Sequence, residues 1–211
     1  MLKRNQEELA ALRASVMERM SPKRFRHTAA VEEEIARLAA LFCPDLTDLL
    51  RVAALLHDVT KEKSPEEQLA MCEELGIELT ELERLAPKTL HARTAEKVIE
   101  RDYPEYADPT VLSAVRWHTT GHSGMTLPER LLYLADYIDA SRTFTSCVIL
   151  RRYFWGAHPE EMTESERLAL LRDTLILSYE MTLKDLVAEG KSVAPDTVEA
   201  YNDLLLEQRS N

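Results

Sequence analysis

The chain has 211 residues, of which 45% are hydrophobic and 30% are charged, so it is long enough to bury the core of one domain. Its 37 acidic and 26 basic residues give a formal net charge of −11, which disfavours nucleic acid and anionic membrane surfaces as general partners. The longest stretch without a charged residue, 117–128, is far shorter than the roughly 20 apolar residues of a membrane span.

The predicted elements are helices along nearly the whole chain. Apolar residues recur at helical spacing, as in Val31, Ile35 and Leu38, whereas period-two alternation is hard to find. Helix breaks are predicted where proline or glycine interrupts this pattern, namely at 21–22, 43–45, 63–67, 76, 86–87, 103–104, 121–124, 156–159 and 190–195. These breaks predict an all-α fold with about nine or ten helices of ordinary length.

The domain organisation follows from the lack of repeats and of linker-like segments in the sequence. We predict a single helical domain over 1–211, with a core at about 21–142 and a C-terminal helical extension at about 163–209. The first helix carries an apolar stripe of Leu2, Leu9, Leu12 and Val16. This stripe can pack on its own domain or on a second copy, so a homodimer is one of two open alternatives.

The cysteines, the glycines and the amino terminus limit the kinds of site and the cellular compartment that the sequence predicts. The three cysteines, Cys43, Cys72 and Cys147, form no C-x-x-C pair and are expected to be reduced and buried. Only five glycines are present, and no glycine-rich phosphate loop can be assembled from them. The amino terminus turns acidic at Glu7 and Glu8 without an apolar signal region, so we expect a cytoplasmic protein.

A His-Asp pair, His57 and Asp58, ends the most apolar segment of the chain, 49–59. Burying two ionisable side chains without a partner is unfavourable, so this pair needs partners inside the protein. The simplest explanation is a core histidine bonded to a carboxylate. The positions of the other histidines favour a second explanation.

Five predicted helices carry side chains of the metal-ligand type among apolar or small residues. These side chains are His27, His57 with Asp58, His91, His118 and Asp136. Imidazole and carboxylate groups are ligands of zinc, manganese, iron and nickel, and a carboxylate can bridge two such ions. The pattern therefore predicts a metal site inside a helical bundle.

Six segments around these residues carry a family resemblance. They are SPKRFRHT at 21–28, AALLHDVTK at 53–61, WHTTG at 117–121, GMTL at 124–127, YLADYI at 133–138 and GKSVAPDT at 190–197. In this order they resemble the YqeK branch of the HD-domain metal phosphohydrolases, over about 21–206 of the chain. The resemblance implies an HD-domain helical bundle and a symmetrical bis(5'-nucleosyl)-tetraphosphatase.

The activity that this resemblance implies is the cleavage of diadenosine tetraphosphate, a dinucleoside polyphosphate, to two ADP by attack of a metal-bridging hydroxide. It also implies two divalent metal ions, with iron expected and manganese or another transition metal as alternatives. By family position, one ion would be held by His27, His57, Asp58 and Asp136. The other would be held by Asp58, His91 and His118, so that Asp58 bridges the pair.

Lys61, one helical turn beyond Asp58, is the second predicted catalytic residue besides Asp58 itself. Cations are needed because phosphoanhydride cleavage spreads negative charge over the phosphoryl oxygens. The alternative for Lys61 is an ordinary solvated lysine at a helix end. Its position in the family favours the catalytic role.

The remaining substrate-binding candidates have two interpretations each. The basic candidates, Arg24, Lys88 and Arg142, either bind phosphate or are plain surface and packing charges. Thr119 and Thr120 either offer hydroxyls to the polyphosphate or cap the helix that carries His118.

Two segments, 92–95 and 139–146, depart from the family pattern, and His122 stands where the family suggests an arginine-like residue. His122 is either a pH-dependent phosphate contact or an exposed loop residue. The altered segments leave base preference and polyphosphate length open. Two alternative functions follow: hydrolysis of another nucleotide, such as guanosine tetraphosphate or a deoxynucleotide, and non-catalytic nucleotide binding by a regulator.

Overall fold

The computed structural model describes residues 6–210, and within that range all regular secondary structure is helical. Eleven α-helices occur there: α1 (Gln6–Glu18), α2 (Pro22–Phe42), α3 (Thr47–Leu56), α4 (Pro65–Glu74), α5 (Glu81–Arg84), α6 (Leu90–Asp102), α7 (Pro109–Trp117), α8 (Leu127–Ile138), α9 (Thr145–Trp155), α10 (Glu164–Ala188) and α11 (Pro195–Ser210). Four short 3-10 helices precede or follow them. The predicted all-α class is confirmed.

The core is built around α3, which packs against α1, α2, α7 and α8. Its side chains from Val52 to Leu56 are almost completely buried, as the apolar run at 49–59 predicts. Burial of that apolar area is the main favourable contribution to folding. Because α3 is central, the residues that follow its last turn, His57 and Asp58, lie inside the protein.

Helix ends fall where the predicted breaks lie. Ser21 and Ser64 are the N-caps of α2 and α4, each followed by a proline in the first turn. Ser64 forms a capping box with Glu67, in which the two side chains and backbone N–H groups bond reciprocally. Capping of this kind sets the start of a helix from local sequence alone.

The turn between α8 and α9 has no proline or glycine, and the sequence analysis did not predict it. Here the Asp139 side chain accepts hydrogen bonds from the backbone and hydroxyl of Ser141, and Arg151 donates to the carbonyls of Ile138, Asp139 and Arg142. Side-chain bonds to the backbone therefore end α8. Apart from the four-residue α5, residues 6–210 hold ten α-helices, which agrees with the predicted nine or ten helices of ordinary length.

The apolar stripe of α1 packs on its own domain. Leu9, Leu12 and Val16 belong to the main hydrophobic core, while Leu2 lies outside the described residues. The buried carboxylate of Glu32 on α2 accepts hydrogen bonds from Arg13 on α1 and Arg51 on α3, and so ties the three helices together. Within the described residues this stripe is used internally.

The C-terminal helices α10 and α11 pack against each other, and α10 packs against α9. Tyr179 of α10 is fully buried, 4.8 Å from the ring of Tyr133 on α8, and donates a 3.3 Å hydrogen bond to the carbonyl of Thr120. The two predicted parts of the domain are thus in contact, and their boundaries stay a prediction. None of the described helices combines the length and hydropathy of a membrane-spanning segment.

Gly121, which follows Thr120, is held in a left-handed conformation with φ of +65°. A Cβ at this position would overlap the hydroxyl of Tyr179. We predict that Gly121→Ala lowers the free energy of unfolding by about 3 kcal/mol, because backbone strain and a steric clash add. Urea unfolding measures this change.

Gly76→Ala is the matched control for this variant. Gly76 has φ of +66°, and no atom lies within 4 Å of where its Cβ would be. We expect a loss of about 1 kcal/mol there, from backbone strain alone. Equal losses in the two variants would show that Tyr179 does not pack tightly on this turn.

Candidate metal centre

Six side chains of the metal-ligand type converge in the core, and each is less than a tenth exposed. His27 comes from α2, His57 and Asp58 directly follow α3, His91 lies in the first turn of α6, His118 directly follows α7 and Asp136 lies in the last turn of α8. The structure therefore brings together all of the metal ligands proposed from the sequence.

Asp58 lies at the centre of this cluster, and its two oxygens face different histidines. Oδ2 is 3.4 Å from His57 Nε2 and 3.8 Å from His27 Nε2. Oδ1 is 3.3 Å from His91 Nε2 and 3.7 Å from His118 Nε2. One carboxylate thus separates a His27/His57 side from a His91/His118 side.

Asp136 completes the first side. Its Oδ1 is 2.9 Å from His27 Nε2 and 3.8 Å from His57 Nε2. Donor atoms of His27, His57 and Asp136 all lie within 4.8 Å of one another, as do those of His57, Asp58 and His118. Both groups are compact enough to hold a metal ion.

Three of the histidines are oriented by their own backbone. The Nδ1 atoms of His57, His91 and His118 bond to the carbonyls three residues earlier, those of Ala54, Lys88 and Val115, at 2.6, 2.8 and 2.7 Å. An imidazole that donates from Nδ1 presents an unprotonated Nε2. All three Nε2 atoms therefore point into the cluster in the form that binds metal.

His27 is oriented by a side chain that the sequence analysis missed. Its Nδ1 lies 3.3 Å from Oδ2 of Asp139 and 3.3 Å from the hydroxyl of Ser141. Asp139 is fully buried just after the apolar helix α8. A carboxylate at the end of an apolar helix is the same signal that identified Asp136, and it was available in the sequence.

Burial and neighbouring charges shift the pKa values of the cluster in different directions. Burial alone would raise the pKa of Asp58 and Asp136, but interactions with His57 and Lys61, and with Arg142 and His27, hold both carboxyl pKa values well below their ordinary range. Burial and the charge of Lys61 lower the pKa of His91. Burial would lower the pKa of His27 as well, yet Asp136 and Asp139 raise it to about 9, so this end of the cluster attracts positive charge.

Three predicted cations surround the cluster. Arg24 donates a 2.7 Å hydrogen bond to Oδ2 of Asp58, and Arg142 pairs with Oδ1 of Asp136. The ammonium of Lys61 is 3.1 Å from His91 Nε2. The structure therefore places all three cations beside side chains of the cluster.

The other predicted substrate residues differ in position. The hydroxyl of Thr119 is 3.0 Å from the Nε2 atoms of both His91 and His118, at the centre of the cluster. The Thr120 hydroxyl donates to the carbonyl of Gly121 and is buried, so it faces its own backbone and not the cluster. Lys88 is exposed beside the site, on the rim of a cavity that His91 also lines.

His122 packs elsewhere. Its ring lies 4.4 Å from that of Trp117, and its Nε2 is 3.2 Å from the buried carboxylate of Glu129. In the described part of the chain it has no contact with the cluster. Its observed partners give it a packing role.

The donor set fits a metal centre. The Nε2 atoms of His27 and His57 are buried, with oxygens of Asp136 and Asp58 at 2.9 and 3.4 Å. In the described part of the chain neither Nε2 atom forms a hydrogen bond of good geometry. Leaving such atoms unpaired is unfavourable, and a metal ion would satisfy both. Imidazoles with free Nε2 atoms and ionised carboxylates are the ligand forms that zinc, manganese and iron take.

Comparisons with known proteins agree with this geometry. The model of the HD domain family matches residues 24–141. Symmetrical bis(5'-nucleosyl)-tetraphosphatases of Bacillus subtilis and Halalkalibacterium halodurans are each 30% identical to the chain, over 95% and 90% of its length and 98% and 93% of theirs.

A similar solved structure is that of a predicted HD superfamily hydrolase involved in NAD metabolism from Clostridium acetobutylicum. It is 28% identical, with a TM-score of 0.79, and the match covers 94% of this chain and 97% of that one. The helical architecture described above is therefore shared along almost the whole length.

We predict that Asp139→Ala weakens metal binding about 10- to 100-fold, because His27 loses the carboxylate that orients it. Metal titration against a competing chelator measures the affinity. Urea unfolding of the metal-free protein separates this effect from a loss of stability.

Asp108→Ala is the matched control. Asp108 and Asp139 each accept a hydrogen bond from the backbone N–H two residues later, at 2.8 and 2.9 Å, but Asp108 caps α7 and does not touch a ligand. The Asp108→Ala protein should lose about 1 kcal/mol in its free energy of unfolding and keep its metal affinity. Equal metal affinities in the two variants would contradict the role given to Asp139.

Proposed function

Because the chain is a hydrolase of the HD domain family, homologous over nearly its whole length to symmetrical bis(5'-nucleosyl)-tetraphosphatases, we propose that it cuts diadenosine tetraphosphate symmetrically into two ADP. The single observation that carries this proposal is the position of the Asp58 carboxylate. Its two oxygens face two separate groups of histidines. A carboxylate in this position could contact two metal ions at once, and a pair of ions can stabilise both the attacking and the leaving oxygen of a displacement.

Two divalent metal ions complete the proposed site. His27, His57, Asp58 and Asp136 would hold one, and Asp58, His91 and His118 the other. Iron is the metal we propose, and manganese or another transition metal suits the same ligands. When bound, such a pair activates a water molecule and neutralises charge on phosphoryl oxygens.

The chain's own residues bind and orient the polyphosphate. Arg24 and Arg142 carry positive charge next to the ligand carboxylates, and Lys61 carries it next to His91. Such charges stabilise the negative charge that develops on the phosphoryl oxygens during cleavage. Thr119 adds a hydroxyl donor between His91 and His118. No protein nucleophile is required for this reaction.

Lys61 has a central place in this proposal. It lines three adjoining cavities of about 330, 340 and 520 Å³ that meet beside the cluster. Burial lowers the pKa of its ammonium group, although Asp58 and Asp136 oppose that shift. Its charge is therefore poorly solvated and available to phosphate oxygens.

The proposed function is tested by metal analysis followed by product chromatography. We expect about two metal ions per chain after purification without added metal, and ADP as the sole product from diadenosine tetraphosphate. AMP with ATP as products would mean an asymmetric cut. Metal without any ADP would overturn the proposed substrate and direct the assay to guanosine tetraphosphate and deoxynucleotides.

A pair of variants separates metal binding from phosphate binding. The Lys61→Ala protein should keep its metal and lose about 100-fold in kcat, because the positive charge that faces the phosphoryl oxygens is removed. Asp58→Ala should lose metal and turnover together. Metal content and initial rates are measured for both.

Lys97→Ala is the control for Lys61→Ala. Lys97 is a partly exposed lysine of α6 that pairs with Glu100, so its loss removes one charge without touching the cluster. It should turn over at the wild-type rate. A Lys61→Ala protein as active as this control would remove Lys61 from the mechanism, and an Asp58→Ala protein that keeps its metal would contradict the bridge.

A further inference from the structure

A basic cavity of about 340 Å³ opens from the metal centre between the starts of α4 and α6. Four cations line it, Arg24, Lys61, Lys63 and Lys88, together with His91 of the cluster. None of the residues that line it is acidic, although the whole chain carries a formal net charge of −11. Such a local excess of positive charge attracts an anion.

The outer two cations are not neutralised in the way the inner two are. Arg24 pairs with Asp58, and Lys61 lies against His91 and is attracted by Asp58 and Asp136. Lys63 is exposed, and the carboxylate of Glu67, which lies 3.6 Å from its ammonium group, is exposed as well. In the part of the chain that the structure describes, Lys88 forms no ion pair.

The backbone of Lys88 is nevertheless fixed. Its carbonyl accepts the 2.8 Å hydrogen bond from Nδ1 of His91, so the residue is tied to a metal ligand while its ammonium group stays exposed. The charge of Lys88 acts on the carboxylate of Glu189, but no ion pair among the described residues holds its ammonium group. This charge can therefore bind an anion that extends outward from the cluster.

The cavity on the other side of Lys61 has the opposite character. Its lining includes the carboxylates of Asp136, Asp185 and Glu189, and its cations are Lys61 and Arg142. Of these two cavities, electrostatics favour the one lined by Lys63 and Lys88 for phosphates that extend away from Lys61. The third cavity, of about 520 Å³, shares Lys61 and Lys88 with it and is also lined by no acidic residue.

We propose that this basic cavity is a polyphosphate subsite, in which Lys88 and Lys63 bind the phosphates beyond the scissile anhydride and set the preference for polyphosphate length. The position of the scissile bond rests on the proposed function. The subsite itself is inferred from the four cations. We expect it to bind an inorganic polyphosphate as well as a nucleotide.

The direct test measures the binding of linear tripolyphosphate to the metal-loaded protein by calorimetry. The anion is supplied as its magnesium complex so that it does not remove the bound metal. We expect Lys88→Ala to raise Kd about tenfold, Lys63→Ala to raise it about threefold because Glu67 already shares that charge, and Lys88→Arg to restore binding. Lys97→Ala, on the outer part of α6, should bind like the wild type.

A second readout is the ratio of kcat/KM for tetraphosphate-bridged and triphosphate-bridged diadenosine. Lys88→Ala should lower this ratio, whereas a merely structural change would lower both rates together. Metal content and thermal unfolding of each variant show that the fold is kept.

The outcomes separate the subsite from the proposed function. If Lys88→Ala binds tripolyphosphate as tightly as Lys97→Ala, the subsite is wrong, whichever nucleotide the protein cuts. If the wild type binds tripolyphosphate in a Lys88-dependent way but makes no ADP, the subsite is supported and the proposed substrate is wrong.

Discussion

The structure depends on keeping carboxyl side chains paired inside an apolar helical core. Asp58, Asp136 and Asp139 are each at least nine-tenths buried, and an unpaired charge in such a place is strongly unfavourable. Partners surround these acids and offset the unfavourable burial of their charge. They are the arginines at 24 and 142 and the four imidazoles. Binding chemistry and fold stability therefore rest on the same few contacts, and changing one acid affects both.

Two histidines that directly follow helices satisfy backbone carbonyls of those helices and are oriented by the same bonds. The last four carbonyls of a helix have no partner within it, and Ala54 and Val115 are among those of α3 and α7. His57 and His118 satisfy them through Nδ1, and the same bond turns each Nε2 toward the cluster. The orientation of these two imidazoles is thus set by the backbone at the end of the preceding helix.

Sequence patterns predicted much of this molecule, and the gaps have physical causes. Helix boundaries marked by proline, glycine or a capping residue were predicted correctly, because those signals are local. The turn after Ile138 was missed because its specificity comes from Arg151, twelve residues away from the Asp139 carbonyl that it binds. The same holds for Thr120, whose hydroxyl direction depends on its rotamer, and for the partner of the α1 stripe, which depends on tertiary packing.

The contact between Tyr179 and the Thr120 carbonyl joins residues 59 positions apart and has a consequence for biosynthesis. Synthesis proceeds from the amino terminus, so every ligand-type side chain of the cluster leaves the ribosome before α10 does. Until α10 is made, the loop that carries Thr119 lacks the tyrosine that supports it from behind. The nascent chain therefore contains all six side chains of the cluster before it contains the tyrosine that supports one wall of their site.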